Sequence, residues 1–476
     1  NGISIDGEVD AWFSEDVPAR FESYGWRVLR AVDGHDGEAV KTALTEARQS
    51  DGRPTLVCTK TVIGFGSPNK AGTAGAHGAA LGEDEIALTR RELNWGDEPF
   101  VIPQHIYADW DCKAAGAAAQ SDWAARFEAY RAAHPELAAE FERRMAGELP
   151  EGWSEDLDAL ARSAQAEGGA LETRKSSQDC IGALADRVPE LFGGSADLTG
   201  SNGTKWSGAE ADRYLSYGVR EFGMSAITNG MALHGGYRPF TGTFLVFMEY
   251  ARNAVRLAAL MGVPNIFVYT HDSVAVGEDG PTHQPVEQIT NLRTTPGLTT
   301  WRPCDTVESA FAWRHALGTR STPSALIFTR QKTRIESRDP SAFADIGRGG
   351  YVLVRESGGL DVILIATGSE VEMTVEAATK LAATGLGVRV VSMPSADVFL
   401  AQDAAYRESV LPVGCRARVA VEAGHPDYWH KFVGLDGAVV GIDRFGLSAP
   451  GPVAMAELGM TVENVVTAAQ SVTAGL

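Results

Sequence analysis

The sequence has 476 residues and a formal net charge of −20 at neutral pH. This charge disfavours nucleic acid as a partner, because a phosphate backbone needs a surplus of lysine and arginine to replace its counterions. No apolar run approaches the length of a membrane span. The five cysteines are widely spaced and include no CxxC pair, which indicates a reducing, cytoplasmic compartment. The composition predicts a soluble protein of about three domains.

Along the chain, short β-branched runs alternate with stretches that have helical periodicity. The predicted strands are Thr55–Ile63, Asn265–His271, Ser324–Arg330, Asp361–Thr367, Gly387–Met393, Ala417–Val421 and Ala438–Ile442. The clearest helices are Glu249–Met261, Glu370–Ala383 and Thr461–Val472. This alternation predicts an α/β protein whose parallel sheets are flanked by helices.

Two segments divide the sequence into units. Residues 114–170 lack strand patterns and are rich in Ala, Glu and Arg, which predicts a helical connector with an N-cap at Ser121. A loop rich in Pro, Ser and Gly at Asp339–Gly350 precedes a new strand pattern. We therefore expect three units, at 1–150, 151–350 and 351–476.

Polar residues stand where strands of the middle unit end. The strand patterns end at His271 and Arg330, and the run LFGGSADLTGSN opens into a loop with Asp197 and Ser201. Ligands of parallel sheets bind at the carboxyl ends of strands. A cation, an imidazole and a hydroxyl at one edge suit an anionic, hydroxylated ligand. For His271 or Arg330 alone, a strand cap or a surface ion pair is an equally good interpretation.

The loop Gly277–Gln288, GEDGPTHQPVEQ, carries Asp279 and His283. A carboxylate and an imidazole at this spacing can serve proton transfer. Taken alone, however, the segment is better interpreted as a solvated loop. The sequence has no P-loop, HExxH or GxSxG motif, so nucleotide hydrolysis, zinc proteolysis and serine-triad hydrolysis have no support.

Two further stretches leave two interpretations open. Glu221 precedes a Gly-rich apolar helix and is either a half-buried carboxylate that shares a proton or part of a surface Arg-Glu step. Phe244, Phe247 and Tyr250 are spaced three residues apart. Such a stripe usually packs in a core, but it also suits the wall of a pocket for a flat heterocycle.

Together these stretches resemble the transketolase family. NGISIDG, GGSADLTGSN, YGVREFGM, TFLVFMEYARNAVR, GEDGPTHQP and FGLSAPGP occur in the family's order, from Asn1 to the C-terminus. The resemblance implies a thiamine-diphosphate-binding fold followed by a C-terminal α/β domain. It also implies an enzyme of the pentose phosphate pathway that moves a two-carbon ketol unit from a ketose phosphate to an aldose phosphate.

The resemblance implies a role for each candidate residue. Glu221 matches the glutamate that protonates the aminopyrimidine ring of thiamine diphosphate. Three aromatic residues match the pocket around that ring: Phe244, Phe247 and Tyr250. The sugar-phosphate contacts are matched by Arg174, Ser201, His271 and Arg330. Asp279 matches a residue that binds a sugar hydroxyl. The histidines implied in catalysis along the substrate channel are His77, His271 and His283, and His77 also adjoins the cofactor.

In the family, residues at the positions of Asn1 and Ile3 ligate the divalent metal, Mg²⁺ or Ca²⁺, and Ile3 also adjoins the cofactor. An upstream Gly-Asp-Gly segment supplies the carboxylate ligand of that metal. The resemblance therefore implies that 1–150 is the C-terminal part of a diphosphate-binding domain with the connector. It also implies that 151–350 is a pyrimidine-binding domain and 351–476 a C-terminal transketolase domain with a structural role.

The assembly expected from the resemblance is a homodimer, or a heteromer with a separate N-terminal subunit that this chain needs for activity. In that interpretation the chain is a split or truncated enzyme. Two alternatives remain open from the sequence. One is a non-catalytic transketolase-like subunit, and the other is a related ketol transferase that uses formaldehyde as its acceptor.

Overall fold

The computed structural model describes residues 1–49, 51–210 and 212–474. These residues form two compact units, Asn1–Ala125 and Arg126–Leu476, which are described separately. Within the described residues, every helix is too short or too polar to cross a bilayer.

The smaller unit is built around one parallel strand pair with a connecting helix. Its strands are β1 (Ile3–Ser4), β2 (Gly7–Glu8), β3 (Arg27–Asp33) and β4 (Thr55–Lys60). Its helices are α1 (Val17–Ser23), α2 (Gly37–Ala47), α3 (Glu83–Glu92), α4 (Gln104–Trp110) and α5 (Lys113–Ala133), the last of which extends into the second unit. Asp36 begins α2, because its carboxylate accepts hydrogen bonds from the free amides of the first turn.

The described residues of the larger unit form a six-stranded sheet, a five-stranded sheet and a two-stranded antiparallel sheet, together with helices. Its strands are β5 (Ala170–Glu172), β6 (Leu191–Ser195), β7 (Tyr214–Ser216), β8 (Arg238–Phe244), β9 (Ile266–Thr270), β10 (Thr299–Trp301), β11 (Ser324–Phe328), β12 (Lys332–Arg334), β13 (Tyr351–Val354), β14 (Val362–Ala366), β15 (Val388–Ser392), β16 (Arg418–Val421) and β17 (Ala438–Val440). Its helices up to residue 318 are α6 (Pro135–Met145), α7 (Glu155–Glu167), α8 (Thr173–Ala185), α9 (Thr199–Asn202), α10 (Glu221–His234), α11 (Met248–Met261), α12 (Gln288–Arg293) and α13 (Thr306–Gly318). The later helices are α14 (Phe343–Ile346), α15 (Glu370–Ala382), α16 (Ala396–Leu400), α17 (Ala404–Val410), α18 (His430–Val433), α19 (Gly451–Glu457) and α20 (Val462–Ala474).

The central sheet has six parallel strands in the order β10-β11-β9-β8-β6-β7. Every residue of β8, β9 and β11 is buried, as expected for parallel strands covered by helices on both faces. Phe240 and Trp313 pack edge to face in the core on one side of this sheet. Since all six strands run the same way, their carboxyl ends meet at one edge.

The C-terminal sheet has the order β13-β15-β14-β16-β17, with only β13 antiparallel to its neighbour. Strands β14 and β15 are fully buried, and α15 and α20 pack against the sheet and each other. The predicted α/β class with parallel sheets is therefore confirmed. The three domain limits predicted from the sequence stay predictions.

Several predicted boundaries differ from the structure. Ser121 does not cap a helix but lies inside α5, which begins eight residues earlier at Lys113, where the carboxylate of Asp111 accepts a hydrogen bond from the first amide and Ala-rich turns follow. The loop predicted at Asp339–Gly350 contains the short helix α14. The predicted strands overshoot their true ends by one to three residues, since a β-branched pattern does not show where pairing stops.

Candidate active site

The carboxyl edge of the central sheet carries several of the polar residues singled out in the sequence. His271 directly follows β9, Arg330 lies two residues beyond β11, and Asp197 lies two residues beyond β6. Phe244 is the last residue of β8. The strands β11, β9, β8 and β6 are consecutive neighbours in the sheet, so these residues share one edge.

The backbone is strained at two points of this edge. His271 has φ 61° and Asp197 has φ 60°, which places both in the left-handed region. In the described part of the larger unit, they are the non-glycine residues with positive φ. Such conformations cost about 1–3 kcal/mol and persist where the surrounding structure holds them, often at functional sites. The strain therefore supports a functional role for this edge.

A buried chain of hydrogen bonds determines which ring nitrogen of His271 carries the proton. The Thr270 hydroxyl donates to Oδ1 of Asn202 at 2.7 Å. Oγ1 of Thr270 lies 2.9 Å from Nδ1 of His271. Because that hydroxyl has already given its one hydrogen to Asn202, it accepts from His271, so Nδ1 carries the proton. In the neutral imidazole, Nε2 is then left as a hydrogen-bond acceptor.

The surroundings of His271 keep its ring neutral. The imidazole is buried and stacks on Phe244, with ring centroids 3.7 Å apart. Burial first, and then the charges of Arg174, Arg330 and His283, lower the pKa of His271 to about 3. The residue therefore acts as a neutral hydrogen-bonding group at physiological pH.

We expect this low pKa to make folding stability depend on pH. Between the ordinary histidine pKa and about 3, the unfolded chain binds a proton at His271 that the folded chain does not. The residue therefore lowers stability progressively as the pH falls below about 6.5. His271→Asn, which tolerates the left-handed backbone, removes this loss. The thermal midpoint of the wild type should fall relative to that of the variant from pH 7 to pH 4, and a constant difference would contradict the prediction.

The predicted aromatic residues form a continuous group, although not on one helix. Phe244 ends β8, Phe247 lies in a 3-10 turn, and Tyr250 lies in α11. Phe244 and Phe247 stack at 5.7 Å, and Phe247 meets the ring of His283 edge to face at 5.2 Å. Tyr250 continues the row and is 68% exposed. Phe244 is buried, Phe247 half-buried and Tyr250 exposed, so the row runs from the core to the surface and its outer part suits a wall open to a ligand better than a core stripe.

Two guanidinium groups face the same edge. Arg174, in the first turn of α8, donates from Nη1 to the carbonyl of Ser201 at 2.7 Å. Its Nε is buried and has no hydrogen-bond partner within the described part of the chain. Burial lowers the pKa of Arg174, and the charge of Arg330 lowers it further against the opposing charge of Glu172. Two mutually repelling cations are stabilised by an anion that reaches both.

Glu221 is the first residue of α10 and is 8% exposed. Among the described residues, its carboxylate has no hydrogen bond or ion pair. A carboxylate at a helix N-terminus gains from the helix dipole, and the oxygens of this one are free to bond to a ligand. This is the arrangement expected of a group that waits for a ligand.

The other predicted residues are more dispersed. Asp279 is exposed and His283 half-buried, and these two side chains form no hydrogen bond with each other. His77 is exposed after a 3-10 turn in the smaller unit. Asn1 and Ile3 also lie in that unit, where Oδ1 of Asn1 accepts a hydrogen bond from the amide of Ile3 at 2.9 Å.

The sequence interpretation missed a buried ionic cluster beside this edge. Asp272 follows His271, and it pairs with Arg302, which follows β10. Arg302 also pairs with Glu370, the first residue of α15, and contacts Glu422, which directly follows β16. Arg302 follows the strand β10 as Arg330 follows β11, so its position after a short β-branched run could have marked it as a strand-end residue. The sequence did not reveal its acidic partners, which are remote in the chain.

Three family models match successive parts of the chain. The model "Transketolase, thiamine diphosphate binding domain" matches residues 1–150, "Transketolase, pyrimidine binding domain" matches 169–336, and "Transketolase-like TK C-terminal domain" matches 349–461. Transketolase 2 of Vibrio vulnificus (strain CMCP6) is 56% identical over 481 residues, covering 100% of this chain and 72% of that protein. The chain belongs to the transketolase family.

Other transketolases agree with this assignment. Transketolase 1 of Escherichia coli (strain K12) is 55% identical over 99% of this chain and 72% of its own length. The solved transketolase of Leishmania mexicana superposes with a TM-score of 0.90 at 38% identity, over 100% of this chain and 70% of that one. A transketolase from Pichia stipitis, solved in complex with sedoheptulose-7-phosphate, gives a TM-score of 0.91 at 37% identity over 100% and 71%. None of these relatives supports the separate N-terminal subunit expected from the sequence.

Proposed function

We propose that this protein is a transketolase that moves a two-carbon ketol unit from a ketose phosphate to an aldose phosphate, using thiamine diphosphate. The observation that carries the proposal is the strand-end edge, where Arg174 and Arg330 flank the buried, neutral His271. The resemblance to a transketolase solved with a sugar phosphate supports the same class of substrate. The comparisons favour neither a non-catalytic subunit nor a formaldehyde-accepting transferase.

The residues present fit the pyrimidine end of the cofactor. Glu221 is a largely buried residue whose carboxylate has no hydrogen-bonding partner among the described residues, and Phe244, Phe247 and Tyr250 present a row of rings for a flat heterocycle. When bound, thiamine diphosphate supplies the electron sink for cleavage of the carbon–carbon bond. Glu221 would hold a proton at the pyrimidine ring.

The other site residues would bind and orient the sugar phosphates. Arg174 and Arg330 would share the phosphate charge, and Ser201 would lie beside it. Nε2 of His271 would accept a hydrogen bond from the substrate. Asp279 would bind a sugar hydroxyl, and His283 would move a proton near the aromatic wall. His77 stays a predicted channel residue, because it belongs to the smaller unit.

The metal ligands stay a proposal. Asn1 and Ile3 would give two neutral oxygens to Mg²⁺ or Ca²⁺, and the cofactor's diphosphate would give more. Among the described residues, no group of three or more His, Cys, Asp or Glu side chains is placed to hold a metal ion. Two neutral ligands do not by themselves make a strong site, so no catalytic step is assigned to the metal. The homodimer also stays a prediction.

The proposal is tested by a coupled assay of the native protein with a ketose phosphate donor, an aldose phosphate acceptor, thiamine diphosphate and Mg²⁺. We expect products in which two carbons have moved between the sugars. Absence of transfer would contradict the proposed function. A higher kcat/KM with formaldehyde than with an aldose phosphate would favour the alternative acceptor.

Arg330→Gln is expected to raise KM for phosphorylated substrates by about 10- to 100-fold, because it removes a charge-assisted hydrogen bond to phosphate. A non-phosphorylated ketose donor should be affected much less, since it lacks the group that Arg330 binds. Steady-state kinetics with both donors checks the prediction, and Arg162→Gln, an exposed position on α7, is the matched control. Equal effects on the two donors would show that Arg330 does not bind phosphate.

A further inference from the structure

A segment of the C-terminal domain contacts the loop that carries Asp279 and His283. We call Phe445–Gly451 the bracing segment and Gly277–Gln288 the substrate loop. Nε2 of Gln284 donates to the carbonyl of Gly277 at 2.7 Å and to that of Leu447 at 2.8 Å. The hydroxyl of Ser448 donates to the carbonyl of Glu278 at 2.8 Å. The loop is thus bonded to a segment more than 150 residues away in the chain.

The two segments also approach too closely for ordinary side chains. A Cβ placed on Gly446 would lie 1.7 Å from Oε1 of Gln284. A Cβ on Gly451 would lie 2.6 Å from the carbonyl oxygen of Ala275. Neither glycine has a positive φ, so glycine is required there by contact rather than by backbone conformation. The bracing segment therefore fits closely against the loop and the residues just before it.

Arg330 bonds to the residue just before the substrate loop, since its Nη1 donates to the carbonyl of Val276 at 2.5 Å. Gln284 is the neighbour of His283 in the chain, and its Oε1 is buried with no hydrogen-bond partner among the residues that the structure describes. The bonds that its side-chain amide does form come from Nε2, which joins the loop to itself and to Leu447. Hydrogen bonds to Leu447 and Ser448 of the C-terminal domain thus hold the substrate loop at Gln284 and Glu278.

We propose that Gln284, Gly446 and Ser448 are positioning residues, through which the C-terminal domain fixes Asp279 and His283 for substrate recognition. This inference rests on the proposed function. It assigns to the C-terminal domain a direct part in the site, where the sequence predicted only structural support. Displacing bound groups by about 1 Å can cost on the order of 100-fold in rate.

The test is Gly446→Ala in the native protein. We expect kcat/KM to fall about 10- to 100-fold, mainly through KM, because the new methyl group displaces Gln284. Hydrogen–deuterium exchange should increase in the substrate loop and in the bracing segment, but not in the central sheet. The matched control is Gly414→Ala, an exposed glycine of the same domain where an added methyl group would meet nothing within 4 Å.

A double-variant cycle separates positioning from general damage. Gly446→Ala with Gln284→Ala should be little worse than Gln284→Ala alone, because the two nearest atoms, Oε1 and Cδ of Gln284, are gone and only its Cβ remains, at 3.2 Å. Should Gly446→Ala fail to fold, Ser448→Ala can be tested instead. It removes the hydrogen bond to the carbonyl of Glu278 and should raise KM by less than the roughly 10- to 100-fold expected for Gly446→Ala. The inference would be overturned if the effects of Gly446→Ala and Gln284→Ala on kcat/KM were additive in the double variant. It would also be overturned if Gly446→Ala had the same kinetics and hydrogen exchange as Gly414→Ala. An inactive wild type would instead contradict the proposed function.

Discussion

Glu221→Gln is expected to lower kcat for ketol transfer by at least about 100-fold at saturating cofactor and substrate. Glutamine keeps the size of the side chain but cannot hold the proton that the proposed role requires, and positioned acid–base groups contribute about 10²- to 10⁴-fold. Glu221 is buried at the start of α10 and has no hydrogen-bonding partner among the described residues. Steady-state kinetics of the native protein and the variant check the prediction.

Stability should change little in the same variant. No partner among the described residues is lost, and the variant gives up only a dipole interaction of about 0.3–1 kcal/mol. The thermal midpoint should therefore stay close to that of the wild type. Glu210→Gln, at an exposed position of the same unit, serves as the control for both measurements. A kcat within a few-fold of the wild type would remove Glu221 from the proposed mechanism.

Arg302→Met should destabilise the protein by about 3–5 kcal/mol, the range expected when one partner of a buried ion pair is removed. The guanidinium is fully buried and pairs with Asp272 at 2.8 Å, with Glu370, and with Glu422 at 3.4 Å. Glu422 keeps its second partner, Arg293, at 2.6 Å. Asp272 and Glu370 would lose their guanidinium partner in the interior.

The prediction is checked by urea and thermal unfolding midpoints, compared with those of Lys380→Met. Lys380 pairs with Glu463 at 2.8 Å, but both side chains are exposed, so its loss should cost less than about 1 kcal/mol. Burial raises the pKa of Glu370, and the double variant Arg302→Met, Glu370→Gln should recover part of the loss because one buried charge is removed. Equal midpoints for Arg302→Met and Lys380→Met would contradict the prediction.

The positions of His271 and Arg330 were predictable because they depend on local pattern. A run of buried β-branched residues predicts a parallel strand, and parallel strands bring their carboxyl ends to one edge. The motif around Glu221 predicted the helix that follows it. The motif did not predict that Glu221 is buried and that its carboxylate has no hydrogen-bonding partner among the described residues. Phe244, Phe247 and Tyr250 were predicted as a group, but the strand end that holds Phe244 was not.

The sequence by itself determined the α/β class, the strand-end placement of the polar residues and the family resemblance. Each depends on periodicity or on short contiguous motifs. Only the tertiary structure decided that Asp272 and Arg302 join Glu370 and Glu422, and that Leu447 and Ser448 hold the substrate loop. These contacts join residues that are tens to hundreds of positions apart in the chain. No local pattern encodes such contacts, because only the folded chain places these loops, strand ends and helix starts side by side.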